Sequence, residues 1–138
     1  MRKKVGIISC SGECLVGGTL SRAVARLIVE KLKPKETIVL CAPLFAAGGL
    51  ERHGGQEERN FAKEHPTITI EGCKEECAKI AVDRYSGPPA ATFFIQDYID
   101  AHPELNPKSR EDLGEKGMKL AEIIAEDIAK KVDELFVR

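Results

Sequence analysis

Short continuous apolar runs alternate along this chain with stretches whose apolar residues recur every three or four positions. Val5-Gly6-Ile7-Ile8-Ser9, Thr37-Ile38-Val39-Leu40, Thr67-Ile68-Thr69-Ile70 and Thr92-Phe93-Phe94-Ile95 are runs of the first kind. They predict strands over about 3–9, 37–41, 67–71 and 91–96. Leu20, Val24, Leu27, Ile28 and Leu32 share one helical face and predict a helix over about 19–32, closed by Pro34. Further helices are expected over about 56–63 and 74–85. A long last helix reaches about residue 136, with Leu120, Ile124, Ile128, Val132 and Leu135 along its stripe. Ser109 and Asp112 are spaced as a capping box ahead of it. The segments 11–18, 42–49 and 101–108 read as loops, the second of them unusually apolar. Strands that alternate with helices predict an α/β fold with a mainly parallel sheet. The expected architecture has three layers, about four strands and helices on both faces, in a Rossmann-like or flavodoxin-like arrangement.

The length of 138 residues suits one domain, 1–138, with enough chain to bury a core without staples. Basic and acidic residues nearly cancel, at 21 and 22, which leaves no electrostatic footprint for nucleic acid or a membrane surface. Met1-Arg2-Lys3-Lys4 is basic, but the apolar run behind it is too short for a signal-peptide core or a membrane span. A cytoplasmic location is expected, where thiols stay reduced and clustered cysteines favour metal or catalysis over structural disulfides.

There are five cysteines, and Cys10, Cys41 and Cys73 each end a short apolar run. Parallel strands linked by right-handed crossovers end on one edge of the sheet, so these three thiols are expected to share a rim. Strands lie about 5 Å apart, and a tetrahedral zinc needs sulfurs about 4 Å apart, so three strand-end thiols come within reach of one ion. Cys77 supplies a fourth if Cys73 opens a helix and Cys77 lies one turn along it. A helix N-terminus also favours thiolate over thiol. Two other readings use the same residues. Buried cysteines also serve as small hydrophobes, and Cys73 with Cys77, or Cys10 with Cys14, could cycle through a disulfide.

Cys10-Ser11-Gly12 followed by Gly18-Thr19-Leu20-Ser21-Arg22-Ala23-Val24-Ala25 resembles the opening of the DGC-domain family. Cys41-Ala42-Pro43-Leu44 is similar to its second cysteine segment, and Glu71-Gly72-Cys73-Lys74-Glu75-Glu76-Cys77-Ala78 to its namesake Asp-Gly-Cys-x-x-x-Cys segment. Phe94-Ile95-Gln96-Asp97-Tyr98 fits the strand that closes the pattern. The resemblance covers roughly residues 3–100 and implies a small α/β domain binding zinc through Cys10, Cys41, Cys73 and Cys77. Glu71 stands where the family name has Asp, and Cys14 is additional to the set, as a fifth ligand, a resolving thiol or a bystander.

Other features carry less. Gly17-Gly18-Thr19 opens a helix and suits either an anion or a tight turn with Thr19 as cap, but it has neither P-loop nor dinucleotide spacing. His53 sits in a Gly-rich loop after Cys41, while His65 and His102 precede prolines. Asp97 reaches the same rim at the end of the fourth strand. No serine–histidine–acid set or carboxylate pair identifies an enzyme. The expected function is therefore zinc binding at a four-cysteine site, structural or metal-handling if closed and Lewis-acidic if open. The alternatives are a thiol-redox enzyme or sensor, and an iron–sulfur protein, since four cysteines also hold clusters.

Overall fold

The four apolar runs form four parallel strands in the order β2-β1-β3-β4. The computed structural model describes residues 4–46 and 55–136. In chain order its elements are β1 (Val5–Ser9), α1 (Val16–Leu27), a π-helical turn (Ile28–Leu32), β2 (Thr37–Cys41), α2 (Ala42–Ala46), α3 (Gln56–Glu64) and β3 (Thr67–Glu71). There follow α4 (Cys77–Ser86), β4 (Ala91–Phe94), α5 (Ile95–Ala101), a 3-10 turn (Pro103–Leu105) and α6 (Gly114–Phe136). The expected three-layer, Rossmann-like or flavodoxin-like α/β fold is the one observed.

Side-chain alternation along the strands builds two cores. Val5 and Ile7 of β1 and Ile68 and Ile70 of β3 pack with Leu20 and Val24 of α1 and with Leu120, Ile124 and Ile128 of α6. Ile8 and Leu40 turn the other way, against Phe45 of α2 and Ala78 and Val82 of α4. Thr69, between the two isoleucines of β3, is buried with its hydroxyl 2.8 Å from that of Thr92 on β4. A buried hydroxyl left without such a partner would destabilise the strand pair.

α1 widens to the π-helical turn before Pro34, where the Lys33 amide donates to the Ile28 carbonyl at 2.7 Å. Proline cannot continue the helix, and Lys33 then reaches Asp133 of α6 at 2.6 Å. β2 forms one edge of the sheet, with Ile38 and Val39 exposed.

Several boundaries differ from expectation. α1 begins at Val16 rather than 19, behind Leu15, and the Thr19 hydroxyl donates to the Arg110 carbonyl at 2.8 Å instead of capping the helix. The apolar loop expected at 42–49 is a short helix as far as Ala46, and its remainder lies outside the described residues, as does His53. β4 is cut short at Phe94 because Ile95, Tyr98 and Ile99 pack as one face of α5, which takes Asp97 into a helix. Ser109 and Asp112 close a tight turn ahead of α6, and the Asp112 carboxylate accepts the amide of Gly114, the first residue of the helix, at 3.0 Å.

Candidate functional site

Glu71 is the last residue of β3, and only 1% of its surface is exposed. Its carboxylate accepts the amide protons of Ala78 (3.2 Å) and Lys79 (2.8 Å), so β3 is tied to the first turn of α4. This supplies acceptors for donors that a helix start leaves without partners. Burial is the main cause that raises the Glu71 pKa above its ordinary 4.5. The Lys79 and Ala78 amides and the Thr69 hydroxyl pull it down, and Glu76 pushes it further up.

That sign makes an expectation about pH. The Glu71 contribution is fully present below about pH 4.5 and is lost as pH rises through the raised value. Glu71→Gln, which keeps an acceptor, should flatten the stability–pH profile in that window. Glu71→Ala orphans two amides and should cost about 1–2 kcal/mol. Urea titrations across pH check both, and an unchanged profile in the Gln variant would mean that Glu71 does not titrate there.

The loop after β1 lies beside this corner. The Cys10 amide donates to the Ile70 carbonyl at 2.9 Å, carrying the β1–β3 ladder one residue further. Ser21 donates to the Cys10 carbonyl at 3.1 Å, Arg22 to that of Ser11 at 3.0 Å, and Arg110 to that of Glu13 at 3.1 Å. Gly17 meets Gly72 backbone to backbone: a Cβ on Gly17 would lie 1.9 Å from the Gly72 carbonyl oxygen. Gly18 meets Gly12 in the same way. The Gly-Gly pair therefore serves close packing of α1 on two loops, which accounts for it without an anion.

The strand-end cysteines do lie on one edge, but their sulfurs do not converge. Ser9 is in register with Cys41, so Cys10, one residue on, has the opposite facing. Cys10 is 2% exposed and turns toward α4, while Cys41 is exposed and lines a separate hollow with Ser9 and Arg22. α4 starts at Cys77 behind Glu76, which is left-handed at φ 57°, so Cys73 lies outside the helix and the expected one-turn spacing is absent. Cys14 is exposed in the turn ahead of α1.

Among the described residues no group of three or more Cys, His, Asp or Glu side chains is placed to hold a metal ion. The expected zinc site of Cys10, Cys41, Cys73 and Cys77, with or without Cys14, is overturned by this geometry. The iron–sulfur alternative and the metal ion as partner fall with it. Neither expected redox pair, Cys73 with Cys77 or Cys10 with Cys14, is the pair in contact.

The structure brings Cys10 and Cys77 together instead. The Cys77 thiol donates to the Cys10 sulfur, Sγ to Sγ 3.5 Å, and the Gly12 amide donates to the same sulfur at 3.4 Å. Burial, then the hydrogen bond to Cys10, pushes the Cys77 thiol up from 9.0 to about 11, with Cys10, Glu71 and Cys73 adding charge repulsion. At neutral pH Cys77 is therefore protonated, which fits its role as donor.

A cavity of about 750 Å³ opens next to this corner. Leu15, Val16, Phe94 and Ile99 give it an apolar lining, and the Glu71 and Asp97 carboxylates also line it. Gln96, Cys73, Lys74 and Glu76 add further polar side chains to the lining. Of these, Cys73 and Asp97 were singled out by their places in the sequence. Leu15, Val16 and Ile99 carried no signal, because apolar side chains beside a helix start resemble core.

The DGC domain family model matches residues 6–132. No curated protein and no solved structure matches. No helix among the described residues is long and apolar enough to cross a membrane.

Proposed function

From a chain that belongs to the DGC domain family and from its strand order, we propose a small-molecule-binding α/β domain. The ligand sits past the C-terminal ends of β1, β3 and β4. One observation carries this reading: the 750 Å³ cavity lies where the sheet order reverses. β1 leads to β2 on one side, and β3 then pairs on the other side of β1. The two crossovers leave the sheet in opposite directions there, and the crevice between them is where open α/β sheets take ligands.

The volume suits an organic molecule rather than an ion. The apolar lining of Leu15, Val16, Phe94 and Ile99 suits an apolar body, and the Asp97 carboxylate suits a hydrogen-bond donor on it. Val16, at the first position of α1, contributes to a wall that the Gly17–Gly72 contact holds in place.

The test is a ligand-observed NMR screen of a fragment library against the full chain, with amide shifts mapped on the structure. Binders are expected to compete with one another and to perturb 15–17, 71–76 and 94–99. Leu15→Arg, at an exposed position on the cavity wall, should weaken them about tenfold, a loss of roughly 1.4 kcal/mol, with thermal stability unchanged. Binders mapping to other surfaces, or none up to millimolar concentration, would overturn the proposal.

A further inference from the structure

We propose that Cys10 and Cys77 form a reversible disulfide joining the end of β1 to the first residue of α4. This goes beyond the ligand-binding reading and does not depend on it. The two sulfurs already touch at 3.5 Å, although the residues are far apart in sequence and belong to different elements. A bond needs a separation of about 2.05 Å, so the remaining approach is within reach of side-chain rotation. The pair is not one that cysteine spacing suggests; parity along β1 and the late start of α4 create it.

The two thiols are unequal in a way that orders the chemistry. Cys77 is exposed and Cys10 is buried, so of the two a bulky disulfide oxidant reaches Cys77. With glutathione disulfide as oxidant, the Cys77 thiol, held protonated at neutral pH, first loses its proton to solvent, so this step is slow at neutral pH and speeds up as pH rises. Its sulfur then attacks one glutathione sulfur, and a mixed disulfide forms as the other glutathione leaves as thiolate. Cys10 then attacks the Cys77 sulfur and expels the second glutathione. The Gly12 amide that donates to the Cys10 sulfur, and the Sγ–Sγ contact itself, hold that sulfur beside Cys77 for this step. The two protein thiol protons end on the departing glutathiones. Two protein thiols are oxidised, and one glutathione disulfide is reduced to two thiols.

The bond would pin the segment 72–76, which carries Gly72, Cys73 and Glu76 of the cavity lining, at both ends. Its β3 end is already held by the Gly17–Gly72 contact, and its α4 end would become covalently fixed.

The experiment treats the reduced full chain with glutathione disulfide, quenches in acid, alkylates the remaining thiols and maps peptides by mass spectrometry. The expected result is a linked peptide pair containing Cys10 and Cys77, in large excess over any other pairing and reversed by dithiothreitol. Cys14, Cys41 and Cys73 should be recovered unlinked. Cys77→Ser and Cys10→Ser should each abolish the link, while Cys14→Ser and Cys73→Ser should leave it. Should buried Cys10→Ser fail to fold, the exposed Cys77→Ser variant decides the matter. A Cys77 that stops as the glutathione mixed disulfide, that pairs preferentially with Cys73, or whose mixed disulfide resolves onto Cys10 no faster than in the urea-unfolded chain would overturn the proposal.

Discussion

Gly17→Ala is expected to lower the stability of this protein by about 3 kcal/mol and its thermal midpoint by roughly 10 °C. In an unconstrained helix the same change would stabilise by about 1 kcal/mol, so even the sign of the result is informative. The cost arises because the new methyl would lie 1.9 Å from the Gly72 carbonyl oxygen and 2.8 Å from its carbon, both backbone atoms. No rotamer change relieves such a clash; α1 or the β3–α4 loop must move. Gly72→Ala meets the reverse side of the contact, 2.7 Å from the Gly17 carbon and the Gly18 nitrogen. The two substitutions should therefore be less than additive, since whichever comes first already separates the loops. Denaturant titrations of both single variants and the double variant measure this. A stabilised Gly17→Ala would mean that the two loops are not held against each other.

Ile70→Ala is expected to be at least as costly, about 3–4 kcal/mol. Ile70 is fully buried in the interior strand β3, between Ser9 of β1 and Phe93 of β4, in the core shared with α1 and α6. Removing its side chain leaves a void that flanking strands on both sides prevent from closing. Val39→Ala is the comparison, since Val39 is also an apolar strand residue but is 54% exposed on edge strand β2. It should change stability by less than about 0.5 kcal/mol. Urea unfolding of the two variants side by side checks the contrast. Similar losses would show that β2 is buried in solution, as by a second chain pairing on its edge.

The interior strands β1 and β3 were readable because parallel strands buried on both faces appear as short apolar runs, and edge strand β2 reads the same way although Ile38 and Val39 are exposed. The helix starts were harder to read. Gly17 and Gly18 look like loop on propensity alone, yet they sit in the first turn of α1 because only glycine lets that turn touch residues 12 and 72. Ile95 served two patterns at once, ending an apolar run and beginning the helical spacing with Tyr98 and Ile99; the helix won. The cysteines show the sharpest limit. Topology correctly put Cys10, Cys41 and Cys73 on one edge of the sheet. Whether their sulfurs meet depends on which way each side chain faces, and a register of Ser9 against Cys41 sends Cys10 and Cys41 to opposite sides. The contact that does form, Cys10 with Cys77, depended on where α4 begins. A left-handed residue at Glu76 sets that start, and no residue-type preference marks it.

The strand order has a kinetic consequence. No two neighbouring strands of this sheet are joined by a hairpin; every pairing is parallel and spans at least one helix. β3 must find β1 across the whole β2 excursion. The ladder therefore cannot zip from a local turn, and the chain must close large loops before its first rungs reward it. Until β1 and β3 pair, the thiols of Cys10 and Cys77 belong to unconnected segments, so their contact reports that this long-range pairing has formed.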